Sequence, residues 1–264
     1  MEAANERRLR ALVALGSGGP LGTKRLCEVS AELTGMDGAG IMLMSGDAPR
    51  GSLCTTNEMS DVVEQLQFAL GEGPCVDAYQ KDLPVLEPDL AGPAVARWTA
   101  FSAPAVAAGV AAVFGFPLQV GAARIGALNL CRGRAGPLSD DQYADALVMA
   151  NIAARAVLIL QAGAPPGALA AELEAGADFH PVVHQASGMV AAQLEVGVGQ
   201  ALVRLRAYAF GNGRQLAEVA KQVVARELRF GGEARANEGG GDGGGGGGQG
   251  GGGDGGGQGG AGPP

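Results

Sequence analysis

Between residues 182 and 229, apolar side chains recur at helical spacing in three successive runs, glycine falls at each joint, and no strand-period pattern interrupts them. In the first run Val182, Val183, Ala186, Met189, Val190 and Leu194 share one stripe, the i, i+3, i+4, i+7 spacing of a helix that buries a single face. Ala201, Leu202, Leu205 and Ala209 form the second stripe, and Leu216, Val219, Ala220 and Val223 the third. Breaks fall at Gly197 to Gly199 and at Gly211 to Gly213, where glycine admits helix-ending backbone. Three helices with short joints can bury one small core together.

The charge is unevenly distributed. The chain carries 19 Lys plus Arg against 27 Asp plus Glu, which opposes indiscriminate nucleic-acid binding. Residues 177–230 nevertheless hold six basic and four acidic side chains, a net of +2, against −10 for the remainder. Arg204 and Tyr208 are four apart on the second helix, placing a cation beside an aromatic ring, a pairing suited to an RNA base and its backbone. Arg214 and Lys221, seven apart, are expected to project from one side of the third helix toward phosphates, and Arg206 adds a further cation. Each set also suits an ordinary solvated helix face with an amphipathic tyrosine at its rim.

These helices resemble the ANTAR domain, an RNA-binding module of bacterial antitermination regulators. The resemblance rests on Gln185, Ala186, Gly188 and Met189, on Ala201, Leu205 and Ala209, and on Leu216, Val219, Ala220 and Val223. It departs at Ser187, where many members carry lysine, which removes one candidate phosphate contact, and at Gly197 to Gln200, where an acidic helix start is common. The resemblance implies recognition of paired RNA hairpins, and since two linked hairpins call for two linked modules a homodimer is expected.

Upstream, from residue 22 to about 162, helical and strand periods alternate, as in an α/β domain. Gly22 to Thr34 reads as a helix, Ala39 to Met44 as a buried strand paired with Gly51 to Thr55, and Asp61 to Leu70 as a helix stopped by Gly71 to Pro74. Leu83 to Leu86 is a short strand and Ala94 to Ala108 a helix. Val113 to Val120 and Arg124 to Arg132 form a hairpin around Gly121 to Ala123. Ser139 and Gln142 form a capping-box signature for a long helix that ends before Pro165.

This order resembles a GAF domain, a sensor module with a central antiparallel sheet flanked by helices. Leu70 to Tyr79 (LGEGPCVDAY) looks like a segment of actinobacterial proteins that join GAF to ANTAR, and Ile125 to Arg132 (IGALNLCR) fits the closing hairpin. The expected organisation is a GAF-like domain with an N-terminal helix over 1–163, a linker or dimer helix over 164–180 with Leu169 and Leu173 at helical spacing, and an ANTAR-like bundle over 181–231. A Gly-rich tail over 232–264 has no apolar surface to offset ordering and is expected to be disordered.

Ligand contacts in the larger domain are expected from Cys75, Tyr79, Trp98 and Phe114, residues that core packing explains equally well. Cys75 follows Gly73 and Pro74 at a turn whose amides can lower a thiol pKa, so a thiol-based redox sensor is one alternative function. A dimeric signalling scaffold without RNA binding is another. The only histidines, His180 and His184, lie in the helical module, which excludes a histidine-rich metal site in the larger domain. Neither a nucleophile with its base nor a P-loop is present, so no catalytic residues are expected, and the residues name no cofactor. Scattered cysteines, together with the lack of a signal peptide or membrane-length apolar run, point to a reduced cytoplasm.

Overall fold

The computed structural model describes residues 2–17, 22–46, 48–92, 97–163, 173 and 180–231. The Gly-rich tail beyond, and all of the expected linker or dimer helix except Leu173 and His180, lie outside the described residues; Leu173 is buried in the core.

Five strands form one antiparallel sheet in the order β2-β1-β5-β4-β3. They are β1 (Gly38–Ser45), β2 (Ala48–Thr55), β3 (Val85–Glu87), β4 (Ala112–Val120) and β5 (Ala123–Arg132). Both expected hairpins are present, with Ile41 opposite Cys54 and Phe116 opposite Leu128. Strand alternation divides the side chains between two faces. Ile41, Leu43, Phe114, Phe116, Leu128 and Leu130 point to one face, where they pack with α1 (Glu2–Gly16), α2 (Thr23–Thr34) and α6 (Asp140–Gln161). Met42, Met44 and Ala127 point to the other, toward α3 (Glu58–Leu70) and α4 (Pro74–Lys81). A third cluster gathers Trp98, Phe101 and Ala105 around α5 (Thr99–Ala107).

Caps fix where these helices begin. Ser139 Oγ accepts from the Gln142 amide at 3.2 Å and Gln142 Oε1 accepts from the Ser139 amide at 3.1 Å, the reciprocal box expected for α6. Asn57 and Ser60 form a second box at the start of α3. Contrary to the sequence expectation, α6 is long and apolar enough to cross a membrane, but half of that window is buried in the protein. Arg7 and Arg10 of α1 hold its Asp145 at 3.0 and 2.5 Å.

The cysteine reading needs correction. Cys27 of α2 and Cys54 of β2 form a disulfide across the first core face, while Cys75 and Cys131 are free and buried. The pairing had no spacing signature, because strand register and helix packing bring together residues 27 apart in sequence.

The second module is the expected three-helix bundle, α7 (Pro181–Leu194), α8 (Val198–Gly211) and α9 (Leu216–Val224). The second and third stripes are buried as read; in the first, Val183, Ala186 and Val190 are buried, while Val182, Met189 and Leu194 are half-buried. The bundle core runs without interruption into Met42, Met44, Phe68 and Val76 of the α/β domain.

Candidate functional site

The Leu70–Tyr79 segment is a joint between helices. Gly71 ends α3 in the left-handed region, and Gly73, at φ 129°, takes a conformation closed to most side chains and starts α4 one residue before Pro74. Glu72 Oε1 accepts from the amides of Ala100 and Phe101 at 2.8 and 2.9 Å and so caps α5. Gln67 Oε1 accepts from the Cys75 amide at 2.7 Å. Cys75 is fully buried, and burial, reinforced by the Glu64 charge, pushes its thiol well above the usual range. Burial thus disfavours the thiolate, the form that a thiol sensor uses.

The four residues expected to line one pocket lie in three separate clusters. Cys75 and Tyr79 pack with the bundle side, Phe114 lies in the first core and Trp98 in the third. Arg124 lies over the Tyr79 ring at 5.0 Å, Arg132 over Phe114 at 5.4 Å and Arg97 over Trp98 at 4.1 Å.

A cavity of about 460 Å³ opens elsewhere, between the start of α2, the end of β2, α3 and the entry to α7. Glu64 reaches it from α3, 1% exposed; neither carboxylate oxygen makes a well-formed hydrogen bond among the described residues, although the Ser52 and Asn129 side chains lie close enough to act on it. Its carboxyl lies over β1 at Gly40, where even a methyl group would come within 2.7 Å of Oε1. Burial dominates the raising of its pKa to about 8, opposed by Ser52 and Asn129 and assisted by the Asp61 charge. The sequence signal was available: Ser60, Glu64 and Gln67 share the buried face of α3 with Val63 and Phe68, so polar groups occupy positions that normally pack apolar side chains.

The cations of the bundle divide. Arg204 and Lys221 are exposed, as are Arg226 and Arg229. Arg214 is half-buried and precedes α9 instead of lying on it, so it is not one face of a helix with Lys221; its Nη1 donates to Gln222 Oε1 at 2.8 Å. Tyr208 is half-buried against the Phe230 ring, with centroids 5.4 Å apart, leaving Phe210 as the fully presented aromatic of α8. Ser187 is buried and donates to the Val183 carbonyl at 2.8 Å, so a phosphate contact is not what this position offers the surface.

Arg206 departs furthest from its expected place on an RNA-facing surface. It is 9% exposed, its Nη2 donates to the Phe68 carbonyl at 2.6 Å, and its guanidinium stands 5.6 Å from the Phe68 ring. Burial lowers its pKa to about 10, which still leaves it charged at neutral pH. His180 stacks on the other partner of this seam, with its ring 4.3 Å from that of Phe68, and the His184 Nε2 lies 2.7 Å from the Arg50 carbonyl. Arg206→Met keeps the volume but strands the Phe68 carbonyl. Its expected cost is about 2 kcal/mol in chemical denaturation, with faster amide exchange in the last turn of α3; unchanged stability and exchange would remove Arg206 from the seam.

Residues 171–224 match the ANTAR domain family. No curated protein matches the chain. Among solved structures, the chain is similar to the GAF domain of a phosphoenolpyruvate-protein phosphotransferase from Coxiella burnetii, at 13% identity over 60% of this chain and 95% of that one, with a TM-score of 0.45. The corresponding domain from Acinetobacter gives 11% identity, 63% and 99% coverage and a TM-score of 0.47. The second GAF domain of DevS from Mycobacterium smegmatis gives 18%, 51%, 88% and 0.38. The fold class is an α/β domain with a central antiparallel sheet flanked by helices, followed by a helical bundle. The chain thus joins an α/β domain to a helical module whose residues fall within the ANTAR match.

Proposed function

We propose that the protein is a cytoplasmic transcription antitermination regulator and not an enzyme. Its α/β domain senses a small molecule or cellular state, and its bundle binds paired hairpins of a structured leader RNA, stabilising the antiterminator so that polymerase reads through. The observation that carries this reading is the ANTAR match over residues 171–224, on a module that keeps Arg204, Lys221, Arg226 and Arg229 exposed while the body of the chain is acidic. An acidic body repels stray polyanions and leaves the basic edge to make contact.

Two linked hairpins call for two linked modules, so the working form is a homodimer. Leu9, Leu12 and Val13 of α1 support that reading, since they are 64%, 48% and 63% exposed at helical spacing. The sensor side is supported by the cavity that Glu64 and His180 both line, because it touches the two modules at once.

Arg204→Ala with Lys221→Ala is the test. Loss of two phosphate contacts should weaken binding to a two-hairpin leader about ten- to hundredfold and reduce the slope of log affinity against log salt by about 1.5. Affinity and slope equal to those of the parent protein would take both residues out of the interface. A purified dimer that captures no cellular RNA would favour a signalling scaffold instead.

A further inference from the structure

We propose that the cavity between α2, β2, α3 and the entry to α7 binds a small organic cation bearing N–H donors, an amidinium, guanidinium or ammonium compound, with Glu64 as its counter-ion. The site deepens the sensing role given above and takes from that reading only that the α/β domain responds to a small molecule.

Three features select this chemistry. Glu64 is a carboxyl group 1% exposed, lining a cavity, with Ser52 and Asn129 close enough to act on it but neither oxygen in a well-formed hydrogen bond among the described residues. Buried without a cation, the carboxyl keeps its proton; a cation with directed N–H groups offsets the cost of ionising it, so binding releases one proton to solvent. The walls also favour positive charge, because Glu58 and Asp61 join Glu64 at the lining. Asp61 is hydrogen-bonded to Thr55 Oγ1, which fixes it in place without neutralising it. Lys24, the lysine of the lining, is 74% exposed and stands 3.9 Å from Glu28 on its own helix, so it is directed away from Glu64. Finally, the Phe68 ring closes one wall, an apolar surface that accepts the body of an organic cation and that a bare metal ion would not use.

An anion would meet three carboxyl groups here, and an uncharged apolar ligand would leave the Glu64 oxygens as they are. The size, about 460 Å³, lies within the range of small-molecule sites. His180 lines the same cavity and stacks on Phe68, so an occupant touches the first residue before α7.

Benzamidine is the probe and benzamide its uncharged isostere, both titrated into the full chain at constant ionic strength and followed by calorimetry and thermal unfolding. Benzamidine should give saturable binding and raise Tm by about 5 °C near saturation, while benzamide should do neither. Glu64→Gln retains the shape of the side chain and should remain folded but lose the benzamidine response at least tenfold. The site is overturned if benzamidine fails to bind, if benzamide binds equally well, or if Glu64→Gln responds like the parent. Leader-RNA affinity, measured on the same preparation, separates the two readings. RNA binding without benzamidine binding sinks this site alone, and benzamidine binding without RNA binding upholds the site and sinks the regulator.

Discussion

Glu64→Gln should stabilise the protein at neutral and alkaline pH and leave its stability nearly unchanged at pH 4. In the folded chain burial raises this carboxyl from 4.5 to about 8. Below 4.5 both states hold the proton and the group costs nothing. As pH rises from 4.5 toward 8, the unfolded chain releases its proton while the folded one retains it, so the stability of the parent falls through that window and levels off above it. The span corresponds to about 5 kcal/mol at full extent, an upper value because a buried site relaxes when it ionises. Glutamine has no proton to lose and escapes the decline. Denaturant titrations at pH 4, 6 and 8 provide the measurement, and other carboxylates cancel in the difference between parent and variant. Parallel pH curves for the two proteins would show that Glu64 is not held neutral.

Reducing the Cys27–Cys54 disulfide should lower stability by about 3 to 4 kcal/mol, the chain-entropy value for a closed loop with a sequence separation of 27. Denaturant midpoints with and without a phosphine reductant give the number directly. Cys27→Ala with Cys54→Ala should resemble the reduced parent, less a small packing loss, and ignore the reductant. A parent whose midpoint does not move would contradict the pairing. The bond also bears on the proposed compartment, since a cytoplasm that keeps thiols reduced would hold the protein at the lower of its two stabilities.

Much of the architecture follows from periodicity and punctuation. The hairpin of β4 and β5 declares itself by two apolar runs around Gly121, and α6 by Ser139 and Gln142. Helix α4 was less apparent because Gly71 to Pro74 reads as a stop, whereas Pro74 also suits the first turn of the next helix. Helix α5 begins at Thr99, later than the apolar run suggests, since Glu72, remote in sequence, supplies its cap.

The candidate site was less legible, for a physical reason. A cation near an apolar stripe reads as surface, yet Arg206 is four residues beyond Leu202 and one beyond Leu205, at the stripe edge, and a second module covers that edge. Helical spacing describes one helix against water and cannot register a neighbouring domain. Glu64 is the converse case, a polar residue on the buried face of α3, where the lapse in the apolar pattern was itself the clue.

Met42 and Met44 give the boundary between modules its final significance. The chain passes from one module to the other between residues 163 and 180, but the packing has no corresponding gap, because both methionines belong to the cluster that fills the bundle. Severing the polypeptide there would leave the α/β fragment with a bare sulfur-rich patch and the bundle with an unroofed flank. Methionine, being unbranched and polarizable, conforms to whatever lies over it. The two halves therefore share one apolar core, and Arg206 ties its edge to the Phe68 carbonyl.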